Sequence, residues 1–364
     1  MTVPTYAQQN AHPDPATSHE EIGAYWAANS LVSAWGAGAE ALALLRAALS
    51  SGVLNALRSP ADPAGVAATT GVPEERLSYL LTALDAHGVI DRVGDGYMLS
   101  ANFARFMSPA AIQPLVNILD MEAVKTRSIE RVGASTLPYT SLTPEEHLAV
   151  AKGVMGVPSS PLWQTTMAAM AANALPELQA VAEAGGRHLE LGCGACSVLV
   201  TLLVLYPRMT AVGIDVSAVV LAEARRRAEE AGVAHRLELR LEDARELRDT
   251  ACYDIVSWSE HFFPAETRAA ALAVAYRALK PGGYLVATGG DPPPAAETLR
   301  QPEGRAEAMN RLVFASWGVP TPDQQDAEAE LEAAGFTITR VVPSRGGMRG
   351  AMLAQRARTE RTSN

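Results

Sequence analysis

Hydrophobic and polar positions along the 364-residue chain change their period near residue 184. Before it, apolar residues recur mostly three and four apart, the spacing of one helix face; after it, short apolar runs alternate with helical segments. The first 18 residues show no period and are expected to form a mobile arm. Ser18-His-Glu-Glu21 then reads as a capping box that starts a helix, with Ile22, Tyr25, Trp26 and Asn29 at helical spacing. A second helix is predicted through "EALALLRAALSSGVLNAL", closing near Ser59-Pro60. "AGVAATTG" and "PEERLSYLLTALDAHG" predict two more, the latter with Pro73 at its first turn and Gly88 at its end. Val89–Val93 and Tyr97–Leu99 predict two strands joined through Gly94-Asp95-Gly96.

Helices followed by a two-stranded wing are a winged-helix pattern, which raises DNA binding. Between Leu31 and Arg105 there are five Arg, no Lys and seven Asp or Glu. The helix that would read a groove offers only Arg76 beside Glu74, Glu75 and Asp85. Without positive charge groove binding has no electrostatic footing, so residues 19–105 are expected to be a packing or dimerisation module. A net charge of −10 points the same way, against nucleic acid and anionic membrane and toward a small-molecule substrate.

Residues 106–184 predict a helical linker or substrate lid interrupted by prolines. From 185 to 364 the strands "HLELGC", "TAVGID", "RLELRL", "YDIVSWS" and "GYLVATGG" alternate with helices, which implies right-handed crossovers and a parallel sheet. "FTITRVVPS" and "GAMLAQRA" predict a closing hairpin, giving seven strands. Apolar runs are too short to cross a bilayer and the start lacks a basic region followed by an apolar one, so a soluble, cytoplasmic protein is expected. Three cysteines are too few for a secreted disulfide framework.

The stretch "RHLELGCGACSVLV" carries the chemistry. As a redox dithiol, Cys193-Gly-Ala-Cys196 would need an exposed first sulfur at a helix start, and that reading leaves Glu190, Gly192 and Gly194 unexplained. No second Cys or His pair stands at a metal-ligand spacing, so no metal is expected. As the mouth of a nucleotide pocket every residue has a use. Gly192 makes the turn after the strand, Gly194 lets backbone approach a ligand, and Glu190 sets a carboxylate at the strand's end. Asp215 ends the next strand, where an acid can hold ribose hydroxyls, and Asp243 ends the third, where one can accept from an adenine amine. Three acids at successive strand ends suit a ligand with hydroxyls, an amine and a positive charge, and suit a diphosphate badly.

"HLELGCGACS", "AVGIDVS", "LEDA", "YDIVSWS" and "LKPGGYLV", in that order, resemble the class I S-adenosylmethionine-dependent methyltransferases over residues 181 to 364. With its front section the chain is similar to the small-molecule O-methyltransferase-like family of bacterial secondary metabolism. The resemblance implies an α/β fold: a Rossmann-like seven-stranded methyltransferase domain preceded by a mainly α winged-helix dimerisation domain and a helical linker, in a homodimer joined through the N-terminal domain. It implies S-adenosyl-L-methionine as cofactor, with Glu190, Gly192 and Gly194 lining its methionine half. Asp215 would take the ribose, Asp243 and Ala244 would stand at the adenine, and Ser257 and Trp258 would lie under the sulfonium. Cys196 replaces the family's usual third glycine, at a position expected to face helix packing.

A general base is needed when the acceptor is a neutral hydroxyl or an acidic carbon. His261 in "SWSEHFFPAET" is the candidate, with Glu260 as its substitute or its orienting partner. The family carries a His followed by an Asp and Trp-rich turn here; His261 stands about two residues early and Phe262-Phe263-Pro264 follows. Trp163, Met167, Asp291, Asn310, Phe314 and Trp317 are candidates to shape an acceptor pocket, and each also reads as ordinary packing or loop capping. The leading expectation is methyl transfer to a small-molecule acceptor, oxygen first and carbon or nitrogen next. Three other functions compete: the same fold using the sulfonium as a fixed charge for decarboxylation, hydroxylation or pericyclic chemistry; a DNA-binding metabolite sensor; and a nicotinamide oxidoreductase. The predicted closing antiparallel hairpin argues against the last.

Overall fold

The computed structural model describes residues 15–132, 142–259, 262–289, 293–319, 321–343 and 350–358, with side chains from residue 19 onward. The chain divides into two compact units between Met107 and Ser108.

The first unit opens with one 36-residue helix, Pro15–Ser50. This corrects two expectations: residues 15–17 are already helical, so Ser18 does not start the helix, and no gap separates a first helix from a second. Gly36 and Gly38 each cost about 1 kcal/mol in a helix, yet the Ala- and Leu-rich sequence around them carries it through. The break comes later, at Gly52, whose φ of 81° is left-handed. Short helices Val53–Ala56, Pro63–Thr70 and Glu74–Ala86 follow. Strands β1 (Ile90–Val93) and β2 (Gly96–Leu99) pair antiparallel with Ile90 opposite Leu99, and Ala101–Phe106 closes the unit. Leu54, Leu57, Leu77, Leu81, Leu84, Ile90 and Leu99 form its buried interior. Ile22, Tyr25, Trp26, Leu31, Val32 and Trp35, on the long helix, are instead 54–70% exposed.

The second unit begins with helices Leu115–Arg131, Pro144–Gly153, Pro161–Ala174 and Pro176–Glu183. Seven strands follow: β3 (Arg187–Leu191), β4 (Thr210–Asp215), β5 (Leu237–Leu241), β6 (Tyr253–Trp258), β7 (Leu279–Thr288), β8 (Phe336–Val342) and β9 (Ala351–Arg356). Their order in the sheet is β5-β4-β3-β6-β7-β9-β8. The first five pair in parallel, while β9 runs antiparallel to both β7 and β8, which is the predicted closing hairpin. The chain crosses from one half of the sheet to the other between β3 and β6, so their C-terminal tips splay around a crevice. Register along β6 and β7 jumps from Tyr253–Leu279 to Ile255–Tyr284, so Lys280–Gly283 loops out of the pairing.

Strand alternation sorts side chains onto two faces. Leu189, Leu191, Val212, Ile214, Val256, Trp258, Leu285 and Ala287 pack against Leu272 and Ala275 of helix Ala265–Ala278 and Leu331 of helix Gln324–Ala333. The opposite face carries His188, Glu190, Gly213, Asp215 and Ser257. There Cys193 and Cys196 join Leu199, Val200 and Leu203 of helix Ser197–Leu205 and Leu221 and Ala224 of helix Ala218–Glu230. Both thiols use the space left by Gly213: a Cβ there would lie 2.9 Å from Cys193 Sγ and 3.1 Å from Cys196 Sγ. Cys196 is fully buried at φ 52°, so it faces helix packing as expected. The left-handed backbone costs a non-glycine residue about 1–2 kcal/mol. Gly213→Ala is expected to cost about 1–3 kcal/mol by overpacking. The urea midpoint measures it, and the cost shrinks in a background where both cysteines are alanine.

Candidate active site

The crevice is built on the tips of β3, β4, β5 and β6. After β3 the chain turns through Gly192 (φ 67°) and Gly194 (φ 55°), both left-handed, before helix Ser197–Leu205 begins. Two bonds fasten this elbow to β4: Cys193 N donates to Ile214 O at 2.9 Å and Gly194 N to Asp215 Oδ2 at 2.9 Å. Asp215 Oδ1 accepts from Ser217 N at 2.9 Å. Burial nevertheless pushes the Asp215 carboxyl up, against the opposing pull of those two amides.

Glu190 stands one strand away. It keeps partial exposure, but its Oε2 is enclosed without a hydrogen-bond partner among the described residues. Burial first, and then the Asp215 charge, raise its carboxyl to about 8. Two acids that resist ionisation at neighbouring strand tips make a place where a cation would be stabilised.

The third acid is differently disposed. Glu242 N donates to Asp215 O at 3.1 Å, so the end of β5 is tied to the end of β4. Asp243 accepts from Arg245 N and Nε through Oδ1, at 2.9 and 3.0 Å, and from Arg245 Nη2 through Oδ2 at 2.7 Å. The Arg245 guanidinium holds this carboxyl below the usual carboxylate range. Ala244 is buried beside it. At β6, Ser257 lies opposite Glu190 in register and bonds His188 Nε2 through Oγ at 2.6 Å. Trp258 turns to the other face, 3% exposed in the core, where its Nε1 has no partner and its ring stands 5.9 Å from that of Phe263.

The thiols of "CGAC" are buried. The adjacent Cys196 thiol and burial push Cys193 well above the ordinary thiol range; Cys196 is drawn down by its bond with Cys193, yet burial and the Glu190 and Asp215 charges carry it up on balance. Thiolates are the reactive form, so this pair packs rather than reacts. Among the described residues no group of three or more His, Cys, Asp or Glu could hold a metal ion.

Glu260, His261 and Asp291 lie outside the described residues. Trp163 and Met167 are buried in helix Pro161–Ala174; Trp163 packs on Gly156 and its Nε1 has no partner. Asn310 is half-buried on helix Pro302–Ser316. Phe314 and Trp317 sit in a packed cluster with Val124, Val150 and Val313, and Trp317 Nε1 donates to Ser128 Oγ at 2.8 Å.

Two features escaped the sequence reading. Helix Pro144–Gly153 crosses the elbow: Ala151 Cβ lies 3.9 Å from where a Gly194 Cβ would be, and His147 is near enough to Asp215 for its charge to draw that carboxyl down. The helix starts with a capping box in which Thr143 and Glu146 satisfy each other, and Glu146 also holds Arg127 at 3.1 Å. "LTPEEHL" carries that signature, so its start was legible; its place over the elbow was not. The other is Phe263, whose ring would lie 3.2 Å from a Cβ on Gly192 and so backs the elbow.

Residues 189–283 match the family model described as "Methyltransferase domain". No curated protein sequence matches the chain. Solved structures do. An O-methyltransferase family protein from Burkholderia thailandensis matches with a TM-score of 0.70 at 18% identity, over 92% of this chain and 99% of that one. A mitomycin 7-O-methyltransferase matches with a TM-score of 0.65 at 20% identity, over 92% and 100%. The human N-acetylserotonin methyltransferase, solved with S-adenosylmethionine, matches with a TM-score of 0.67 at 16% identity, over 91% and 98%. At these identities the likeness is one of fold.

Glu190 generates a pH dependence. The folded protein keeps its proton up to about pH 8, whereas the unfolded chain releases it near the ordinary value of 4.5. Folding then binds a proton across that window, so this carboxyl's contribution to stability falls as pH rises through it. The thermal midpoint of the wild type is expected to drop relative to that of Glu190→Gln between pH 5 and 8.5. A difference between the two that does not change with pH refutes the assignment.

Proposed function

We propose that this chain, whose residues 189–283 match a methyltransferase domain, is a class I S-adenosylmethionine-dependent methyltransferase that methylates a hydroxyl of a small molecule in bacterial secondary metabolism. The observation that carries this reading is the paired acids Glu190 and Asp215 around the Gly194 elbow, one of them with an enclosed, unpartnered oxygen. S-adenosylmethionine brings cationic groups and ribose hydroxyls, the chemistry such a pair lacks. Bound there it supplies an electrophilic methyl group on a sulfonium leaving group. Glu190 then faces the cationic methionine end and Asp215 the ribose. Asp243, with Ala244 beside it, stands at the adenine. Similar O-methyltransferases favour transfer over use of the sulfonium as a fixed charge.

Displacement at a sulfonium asks chiefly for alignment in a dry site, which can contribute roughly 7–11 kcal/mol. In this reading Trp258 and Phe263 back the elbow and keep water from it. Trp163, Met167, Asn310, Phe314 and Asp291 are proposed for the acceptor side. A general base adds about 10²- to 10⁴-fold, and we assign that role to His261 with Glu260 as its partner.

The helices and hairpin of the first unit read as a winged helix, and its exposed Tyr25, Trp26 and Trp35 as the contact with a second copy of the chain. An apolar stripe of that kind on a soluble protein marks an interaction surface. Among the described residues no helix is long and apolar enough to cross a membrane. A cytoplasmic homodimer that binds no nucleic acid fits the charge balance.

Calorimetry with S-adenosylhomocysteine is expected to show binding that Asp215→Ala weakens at least tenfold, and turnover to add one methyl to the product by mass. Absence of binding to the intact protein would remove the proposal. The double variant Trp26→Asp, Trp35→Asp is expected to halve the mass seen in light scattering.

A further inference from the structure

His188 is a buried, titratable residue that the reading above leaves unused. It lies one pleat below Glu190 on β3, is 3% exposed, and reaches one partner, Ser257 Oγ, through Nε2 at 2.6 Å. Its Nδ1 is enclosed with no partner among the described residues. Burial pushes the imidazole down to about 3, so it is neutral at physiological pH and carries one N–H.

The partners decide which nitrogen holds that hydrogen. On Nδ1 it would be a buried N–H without an acceptor, and Ser257 would have to spend its own hydrogen on Nε2. On Nε2 it donates to Ser257, and the orphan is only a lone pair. Orphaned buried N–H groups are the rarer and costlier case. Nε2–H is therefore the tautomer, and Ser257 keeps its hydrogen for something else. Ser257 stands directly opposite Glu190 on the neighbouring strand and on the same face. One rung of the sheet thus offers a carboxyl group, ready to ionise against a cation, and, about 4.8 Å away along the hydrogen-bonding direction, a hydroxyl donor.

We propose that His188 is a positioning residue that fixes Ser257 as a donor into the crevice, and that Glu190 and Ser257 together read an α-amino acid zwitterion, the ammonium on Glu190 and the carboxylate on Ser257. The inference rests on the cofactor reading and deepens it: the rung recognises the amino acid end of S-adenosylmethionine. A neutral imidazole beneath the serine suits this task, because a charged one would sit without a counterion in the interior.

The test uses two ligands that share a nucleoside: S-adenosylhomocysteine, which has the amino acid end, and 5′-methylthioadenosine, which lacks it. A hydrogen bond to a charged group supports a loss of about ten- to a hundredfold in affinity. Ser257→Ala is expected to weaken S-adenosylhomocysteine by that factor and leave 5′-methylthioadenosine within about twofold. His188→Phe is expected to reproduce the pattern, and His188→Gln, which keeps a donor toward Ser257, to recover most of the loss. Should His188→Phe fail to fold, Ser257→Ala and His188→Gln decide. Equal loss for both ligands in Ser257→Ala, or unchanged affinity for both, overturns the inference while leaving the cofactor reading intact. Wild-type protein that binds neither ligand overturns both.

Discussion

The bond from the Gly194 amide to the Asp215 carboxylate is the constraint on which the rest of the crevice depends. It fastens the turn after β3 to the tip of β4, and with the Cys193 bond to Ile214 it leaves the loop one conformation. That conformation demands left-handed backbone at Gly192, Gly194 and Cys196. Glycine takes it without strain, and cysteine takes it because burial of its sulfur over Gly213 offsets the cost. The same bond orients Asp215: one oxygen faces Gly194 and the other faces Ser217.

Holding Asp215 this way forces an electrostatic problem on Glu190. The two acids share a face of the sheet on adjoining strands, and burial denies Glu190 the water that would stabilise its charge. A phosphate would aggravate the repulsion, since the elbow brings no Arg or Lys. A cation removes it. The Gly-rich turn and strand-end acid that this chain shares with dinucleotide-binding folds therefore point here to a different ligand, because the remaining charges have the wrong sign for a diphosphate. Strand order agrees: an antiparallel β9 between β7 and β8 is absent from the dehydrogenase arrangement.

Features encoded by neighbours in sequence were legible. The alternation of strands and helices, the GxG elbow and the acids ending β4 and β5 each lie within a short window. What escaped depends on residues far apart in the chain. Helix Pro144–Gly153 is readable as a helix from its capping box, but its seat over Gly194 is set by tertiary packing. Ser257 looked like a residue under the cofactor, yet its hydrogen-bond polarity comes from His188, 69 positions away. Trp258 shows the period-two rule working against a guess: next to Ser257 in sequence, it must face the opposite side and joins the core. The long first helix escaped for a local reason, since two glycines in an Ala-rich run look like a gap and cost too little to make one.

The loop after β6 was the strongest sequence argument against ordinary transfer, because Phe262-Phe263-Pro264 replaces the family's Asp and Trp-rich turn. Packing gives these residues another role. Phe263 backs Gly192 and stacks near Trp258, while Phe262 meets Phe314 at 5.7 Å between ring centroids. One aromatic side chain thus ties the loop to the elbow and the next ties it to helix Pro302–Ser316. Ser259 O accepts from Phe262 N at 3.0 Å. The Phe262 and Phe263 part of the departure from the family pattern thus lies in residues that pack.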